Sequence, residues 1–512
     1  MKSDSERDLL LAAGGGSLKL AGAIVRVLGG LGVSLLMTRM TGAAAFGQYF
    51  LALTAAELLA QVAGLGLQAS ALRFIPITLQ QNDKTWLAGL LRATAFIPAI
   101  VGVTLAIFTF AFADQIASDL FSDPSLAPAM RIFAFAIPLS ALANALEATL
   151  RGFNRVDLSI TGMDLGFQLP KFLLVALALF AGMRVEGAAL AHVAALFISS
   201  IVLLILLKPL SPTRSEAPQP IYRMREIWSQ SLPVYLTRLL RTFGGRMELL
   251  VLGFFGLGFD VGIYAAVLQI SMLGNLLPEA LITVSMPLIS GAHYRNRPEA
   301  IRALLHNITR WCLTAVLPYY VAVALFSQTL LGAFGKEFVG GQTSLLLLAA
   351  LPLMNSTGGV AAAALTMTGK ARINSFNSLT YLVTTITLDL LLIPQFGIKG
   401  AAVAAFSSTL LLNILRVGQV RWIFGIWPVD RQVFKPVVAA GLAAVGALVV
   451  RETLSGTQPW ILLGLGLATI GTIYFTLLYV LGISQADRVV LDAVGRRVPA
   501  VRRMLNGSSQ DT

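Results

Sequence analysis

Runs of about twenty apolar residues follow one another along this chain almost without pause, and each is long enough to cross roughly 30 Å of hydrocarbon. In lipid every backbone N–H and C=O must be paired internally, so such runs fold as transmembrane helices. With 56% apolar and 12% charged residues among 512, and a mean hydropathy of +0.78, the length is used on helices and not on a soluble catalytic domain. Spans are expected at about 17–38, 47–70, 88–112, 127–150, 159–181, 187–207, 230–255, 261–288, 304–330, 343–368, 374–394, 400–421, 434–450 and 460–482. The expectation is an all-α integral membrane protein of about fourteen helices, with both termini on one side.

The surplus of +13 does not point to nucleic acid, because the basic residues sit in short loops and form no single patch. Lys84, Arg151 with Arg155, Lys208 with Arg214, Arg223 and Arg225, Arg295 with Arg297 and Arg302, Lys370 with Arg372, and Arg421 with Arg431 and Lys435 fall in alternate loops. Those loops, and with them both termini, are expected in the cytoplasm. Arg39, Arg184, Lys336 and Lys399 are exceptions that would face outward. The N-terminus has Lys2 and Arg7 but no short apolar core with a small-residue cleavage site, so the first helix reads as retained. Cys312, the single cysteine, lies in an apolar run and reads as a packed thiol.

The chain repeats itself. Adding 215 to Arg26, Gly29, Gly30, Gly47 and Tyr49 gives Arg241, Gly244, Gly245, Gly262 and Tyr264. RVEGAALA around Gly187 returns as GIKGAAVA around Gly400, at a spacing of 400 − 187 = 213. Each copy holds six spans, an even number, so both share one orientation: a parallel repeat about an axis along the membrane normal. The expected organisation is a six-helix lobe over 1–207, a Pro- and Ser-rich cytoplasmic linker over 208–229, and a second six-helix lobe over 230–425. Two additional helices over 426–483 and a basic tail over 484–512 follow, the tail carrying Arg496, Arg497, Arg502 and Arg503.

TRMTGAAAFGQY ending at Tyr49, ALRFIP from Ala71 to Pro76, and RVEGAALA with its second copy carry a resemblance. From about residue 10 to 480 the chain resembles the polysaccharide transport family of the multidrug/oligosaccharidyl-lipid/polysaccharide flippase superfamily. That resemblance implies a bacterial inner-membrane flippase moving a polyprenyl-diphosphate-linked oligosaccharide, for lipopolysaccharide or exopolysaccharide, to the outer leaflet. It also implies polysaccharide polymerase and glycosyltransferases as functional partners. A multidrug or cation antiporter and the peptidoglycan lipid-precursor flippase share the superfamily and stand as alternatives.

Charge inside the spans is costly and marks function. Lys19 and Arg26 lie seven residues apart, about 20° around the helix, and Arg238, Arg241 and Arg246 share half the circumference of the seventh span. These five are the candidate diphosphate ligands, since guanidinium matches phosphate oxygens in a bidentate fork. Snorkelling suits Lys19 and Arg238, and Glu248 is a candidate ion-pair partner for Arg246. Candidate ion-coupling carboxylates are Asp164 and Asp389, in corresponding helices of the two lobes, with Glu57 and Glu248. An ion pair of Asp164 or Asp389 with Lys171, Arg26 or Arg241 is the structural alternative. Pro98, Pro138, Pro318 and Pro352 are candidate kinks. His192, His293 and His306 have no ligand spacing, so no metal site and no cofactor are expected beyond a coupling proton or sodium ion. With loops this short a secondary transporter is expected, not an enzyme.

Overall fold

A computed structural model describes residues 4–481 except 214 and 216–218, with side chains described outside 4–21, 230 and 233. Among the described residues it is helical throughout, without strands. Nine helices are long and apolar enough to cross a membrane, eleven if two bent pairs each count as one span. Two of the nine are too long to be single spans. Asp4–Ala63 departs from helical geometry at Gly42 (φ 82°) and Ala371–Phe424 at Gly397 (φ 53°). A straight helix of 54 residues would reach about 80 Å, far beyond the bilayer core. Positive φ is open to glycine at little cost, and each of these glycines joins two helices.

The seventh expected span fails the apolar test because it carries the charges. It forms as Met224–Gly244 and Met247–Phe254, containing Arg225, Glu226, Arg238, Arg241 and Glu248, with Arg246 in the break between them. Fourteen spans are therefore not reached on length and composition alone.

The repeat is visible in where helices break. Ala127–Ala134 gives way to Ala136–Gly152 at Phe135, and Gln342–Ala349 to Leu351–Met367 at Ala350, a spacing of 350 − 135 = 215. Pro138 and Pro352 stand just inside the second piece of each, where proline's missing N–H has no helical partner to lose. Pro98 and Pro318 are different: Lys84–Ala111 runs through Pro98 uninterrupted, and Pro298–Gly332 leaves helical geometry at Phe326, eight residues beyond Pro318. Neither proline interrupts its helix.

The two halves meet on glycine. A Cβ on Gly47 would run into the Gly258 carbonyl and stand 2.9 Å from the Gly262 nitrogen; a Cβ on Gly262 would run into the Ala43 carbonyl and stand 3.1 Å from the Gly47 nitrogen. Repeat-related glycines thus face each other, as an axis between equivalent halves requires. Small residues let membrane helices approach where lipid supplies no hydrophobic drive. Elsewhere polar groups join the halves. The Tyr235 hydroxyl donates to the Val62 carbonyl at 3.1 Å, and the Ser70 hydroxyl to Ile227 O at 3.1 Å. Arg223 lies over the Trp86 ring at 4.2 Å and reaches Asp83 at 3.2 Å. Phe434–Thr453 and Pro459–Val480 pack on Pro298–Gly332 through Ala439, Ala443, Ala447 and Tyr474. The basic tail lies outside the described residues.

Candidate functional site

Arg26 does not stand free. Its Nε donates to Asp164 Oδ1 at 2.9 Å, with the Asp164 side chain 5% exposed and the Arg26 side chain 54% exposed. Glycine makes the approach feasible: Gly22 faces the Asp164 carboxylate, and a Cβ on Gly29 would lie 3.3 Å from Gln168. One candidate anion ligand and one candidate coupling carboxylate are therefore a pair within the first half. The Lys19 side chain lies outside the described residues.

Arg246 pairs with Glu57 at 2.9 Å, joining the second half to the first, and not with its sequence neighbour Glu248. Arg238 donates to the Gln68 amide oxygen and has Arg241, Glu147 and Arg151 within charge range. Arg241 forms no ion pair among the described residues. Glu279 is exposed, and both Arg241 and Arg26 are close enough for their charges to act on it. Arg26 and Arg241, from opposite halves, thus both lie within charge range of Glu279.

The other two candidate carboxylates meet deeper in the second half. Glu248 and Asp389 are 4% and 0% exposed and lie within charge range of each other. Both Asp389 oxygens lack a hydrogen-bond partner, as do the hydroxyls of Tyr264 and Thr385, all fully buried. Tyr264 and Tyr381 are both in charge range of the two acids. An unpaired buried carboxylate is costly unless it is protonated or meets a cation. The polar atoms here suit a hard ion with oxygen ligands, and no group of three or more His, Cys, Asp or Glu stands together among the described residues.

Three participants were not singled out from sequence. Glu279 carries no repeat signature. Tyr381 packs its ring edge where a Cβ on Gly244 would come within 2.7 Å, at the break of the seventh span. Arg416 is 8% exposed with an unpartnered Nε, in charge range of Arg241 and Tyr381. A signal for Arg416 existed: the 213 spacing sets it opposite Leu203, so a charge stands in one copy where the other has leucine. Tyr319 donates to the Ile270 carbonyl at 2.9 Å and Tyr235 to Val62, so both hydroxyls are used in helix packing. His192 accepts or donates at 2.9 Å with the Tyr49 hydroxyl. Two apolar surface hollows, one around Phe108 and Phe112 and one around Val429 and Val433, are lined by none of the candidate arginines.

Two sets of membrane helices that repeat one another in sequence and meet along Gly47 and Gly262 define a multi-pass helical membrane protein. The model of the family described as polysaccharide biosynthesis protein matches residues 11–293, and the chain belongs to that family. Two relatives are proteins of Haloferax volcanii. The probable flippase AglR is 27% identical over 303 residues, 58% of this chain and 60% of that protein. The probable low-salt glycan biosynthesis flippase Agl15 is 24% identical over 170 residues, 33% of this chain and 36% of that protein. The matches thus span less than two thirds of either relative. Among solved structures, the lipid II flippase MurJ in an inward closed conformation superposes with a TM-score of 0.72 at 14% identity, covering 91% of this chain and 98% of that one. An inward-facing multidrug resistance transporter of the MATE family gives 0.65 at 16% identity, over 78% and 94%. The fold is that of the multidrug/oligosaccharidyl-lipid/polysaccharide superfamily, and the chain is a multi-pass membrane protein.

Proposed function

We propose that this protein flips a polyprenyl-diphosphate-linked oligosaccharide across the bacterial inner membrane by alternating access, with both termini cytoplasmic and loading from the cytoplasmic leaflet. One observation carries the reading: arginines from both halves converge on a shared region, and Arg241 there forms no ion pair among the described residues. Arg241 has Glu279 within charge range but forms no ion pair among the described residues, which leaves guanidinium N–H groups for an anion, and a diphosphate offers oxygens in the geometry guanidinium prefers. Arg238, beside Arg151 at the cytoplasmic end, extends the positive lining toward the loading side. The family and the flippase relatives support a glycan as the cargo. Glycosyltransferases that build the lipid-linked substrate and a polymerase that consumes it are the partners this reading implies.

Free energy for net movement enters, on this reading, through a proton or sodium ion at Glu248 and Asp389, with Tyr264 and Thr385 completing the pocket. Asp164 is withdrawn as a coupling group, because Arg26 already neutralises it. Glu57, held by Arg246, serves better as a tie between the halves.

The test uses full-length protein in proteoliposomes with a fluorescent polyprenyl-diphosphate oligosaccharide in one leaflet. Arg241→Ala should abolish transfer at normal protein abundance, and Arg26→Ala combined with Asp164→Asn should impair it without leaving a buried carboxylate alone. Unchanged transfer in both refutes the cavity assignment. Transport of a cationic drug with no transfer of the glycolipid would favour the multidrug reading.

A further inference from the structure

Arg416 has no assigned part in the reading above, yet it is among the least compensated charges in the molecule. It lies on the second arm of Ala371–Phe424, beyond the turn at Gly397, and is 8% exposed. Its Nε has no hydrogen-bond partner, and among the described residues it forms no ion pair. The charge nearest in kind is another cation, Arg241, which repels it. A buried guanidinium beside a second guanidinium is unfavourable on its own. Two such groups become favourable together when an anion bridges them.

The neighbour on its other side is Tyr381. That ring is wedged against Gly244, where Met224–Gly244 ends, one turn past Arg241 and just before Arg246 and Glu248. Its hydroxyl lies beside the hydroxyls of Thr385 and Thr409 and within charge range of Glu248 and Asp389. Tyr381 therefore touches both neighbourhoods: the arginines on one side of the helix break, the carboxylates on the other. The first half of the chain has no such arrangement. The repeat spacings put Val33 opposite Glu248, Ala176 opposite Asp389 and Leu203 opposite Arg416.

We propose that Arg416 and Arg241 together form the station that holds a phosphate group of the lipid-linked substrate, and that Tyr381 couples its occupancy to that of the cation pocket at Glu248 and Asp389. This rests on the anion-cavity reading of the preceding subsection. A cation between the carboxylates fixes the hydroxyl cluster around Tyr381 and, through the ring on Gly244, the end of the helix that carries Arg241. Anion binding and cation binding then favour each other, and reciprocally so, because linkage is symmetric. Tyr381 is a positioning residue here; Arg416 is a ligand.

The experiment titrates purified full-length protein in detergent with inorganic diphosphate by calorimetry, in sodium chloride and in choline chloride of equal ionic strength, each at two pH values. For the unaltered protein, sodium or a lower pH should tighten diphosphate binding about fivefold or more, the lower end of ordinary coupling. Arg416→Gln should weaken binding about tenfold under every condition, the effect of losing one charge-assisted contact. Tyr381→Phe and Asp389→Asn should each lose the cation-dependent gain in diphosphate affinity. Arg416→Lys should restore part of what Arg416→Gln loses. Thermal unfolding of each variant confirms a folded sample. Diphosphate binding that is lost in Arg241→Ala but intact in Arg416→Gln overturns the station while leaving the cavity standing. A cation-dependent gain that survives Tyr381→Phe, or is missing from the unaltered protein, overturns the coupling. No diphosphate binding at all sinks the cavity reading itself.

Discussion

The first and fifth spans of the N-terminal half and the seventh and eleventh of the C-terminal half descend from one pattern, yet they dispose of their charges in opposite ways. In the first half Arg26 and Asp164 neutralise each other. In the second, Arg241 and Asp389 are both left without an ion-pair partner. The contacts explain why. Gly29 rests on Gln168 and Gly244 on Tyr381, an offset of 381 − 168 = 213, which sets Asn377 opposite Asp164. The acid has been replaced by an amide, and Asn377 is occupied in a reciprocal pair with Gln419 at 2.7 and 2.8 Å. The carboxylate of the second half stands 12 residues further along, about 18 Å of helix, beside Glu248. Separating a cation and an anion that the sister half keeps together leaves a charge of each sign without an ion pair among the described residues, which is what the proposed anion and cation sites require. The tyrosines follow suit: Tyr49 bonds His192, whereas Tyr264, its counterpart, has an unpartnered hydroxyl and the acids in charge range. On the proposed function, the first half supplies stability and the second the ligands.

That contrast can be broken by mutation. The largest effect is expected for Arg26→Ala, which orphans a buried carboxylate. It should cost about 2–3 kcal/mol, below the full range for a buried pair because Arg26 is half exposed. Thermal unfolding in detergent measures this, and adding Asp164→Asn should return most of it. Arg241→Ala in the same assay should cost almost nothing, since no ion pair is lost; a comparable loss from both would erase the distinction between the halves.

Asn377→Asp restores to the second half the acid that the first half has. If the equivalence holds, the new carboxylate competes for Arg241 and weakens diphosphate binding about tenfold, or roughly 1.4 kcal/mol. Unaltered affinity would mean that the two helices are out of register.

The smallest effect concerns the third span and its counterpart. Asp83 accepts the Trp86 N–H at 2.9 Å as N-cap of Lys84–Ala111, while Arg297 stands before Pro298–Gly332 with no side-chain cap. Asp83→Ala should lower stability by about 1 kcal/mol and Arg297→Ala should not. The hydrogen bonds from the Trp86 N–H and the Thr85 hydroxyl, aided by the Arg223 charge, hold the Asp83 carboxyl below its ordinary value. A depressed carboxyl stabilises above its unfolded value of about 3.8 and loses that contribution as pH falls through the folded one. The penalty of Asp83→Ala should therefore shrink in strongly acidic buffer and stay constant near neutrality.

Hydropathy sufficed for the all-helical membrane class and for most of the spans, because backbone pairing in lipid leaves the chain few choices, but not for the charged seventh span. The repeat spacing likewise placed Arg26 and Arg241 on corresponding helices and the breaks near Pro138 and Pro352. Partner choice was harder to read. Arg246 lies in the break before the helix that carries Glu248, and its ion pair is with Glu57 of the other half, which adjacency in sequence did not show. Asp164 and Asp389 occupy corresponding helices, but at different depths, and only the contact of Tyr381 with Gly244 fixes the register that shows it. Arg416 sits in an arm that reads as an ordinary apolar span, where one guanidinium scarcely alters the average.

The facing pair Gly47 and Gly262 binds the history of the two halves together. Each needs the bareness of the other's helix, since a methyl on either would strike a backbone carbonyl that cannot move aside. A charged position can change in one half without a clash in the other; these two cannot. A lineage could reshape what the protein carries while keeping the seam along which its halves are sewn.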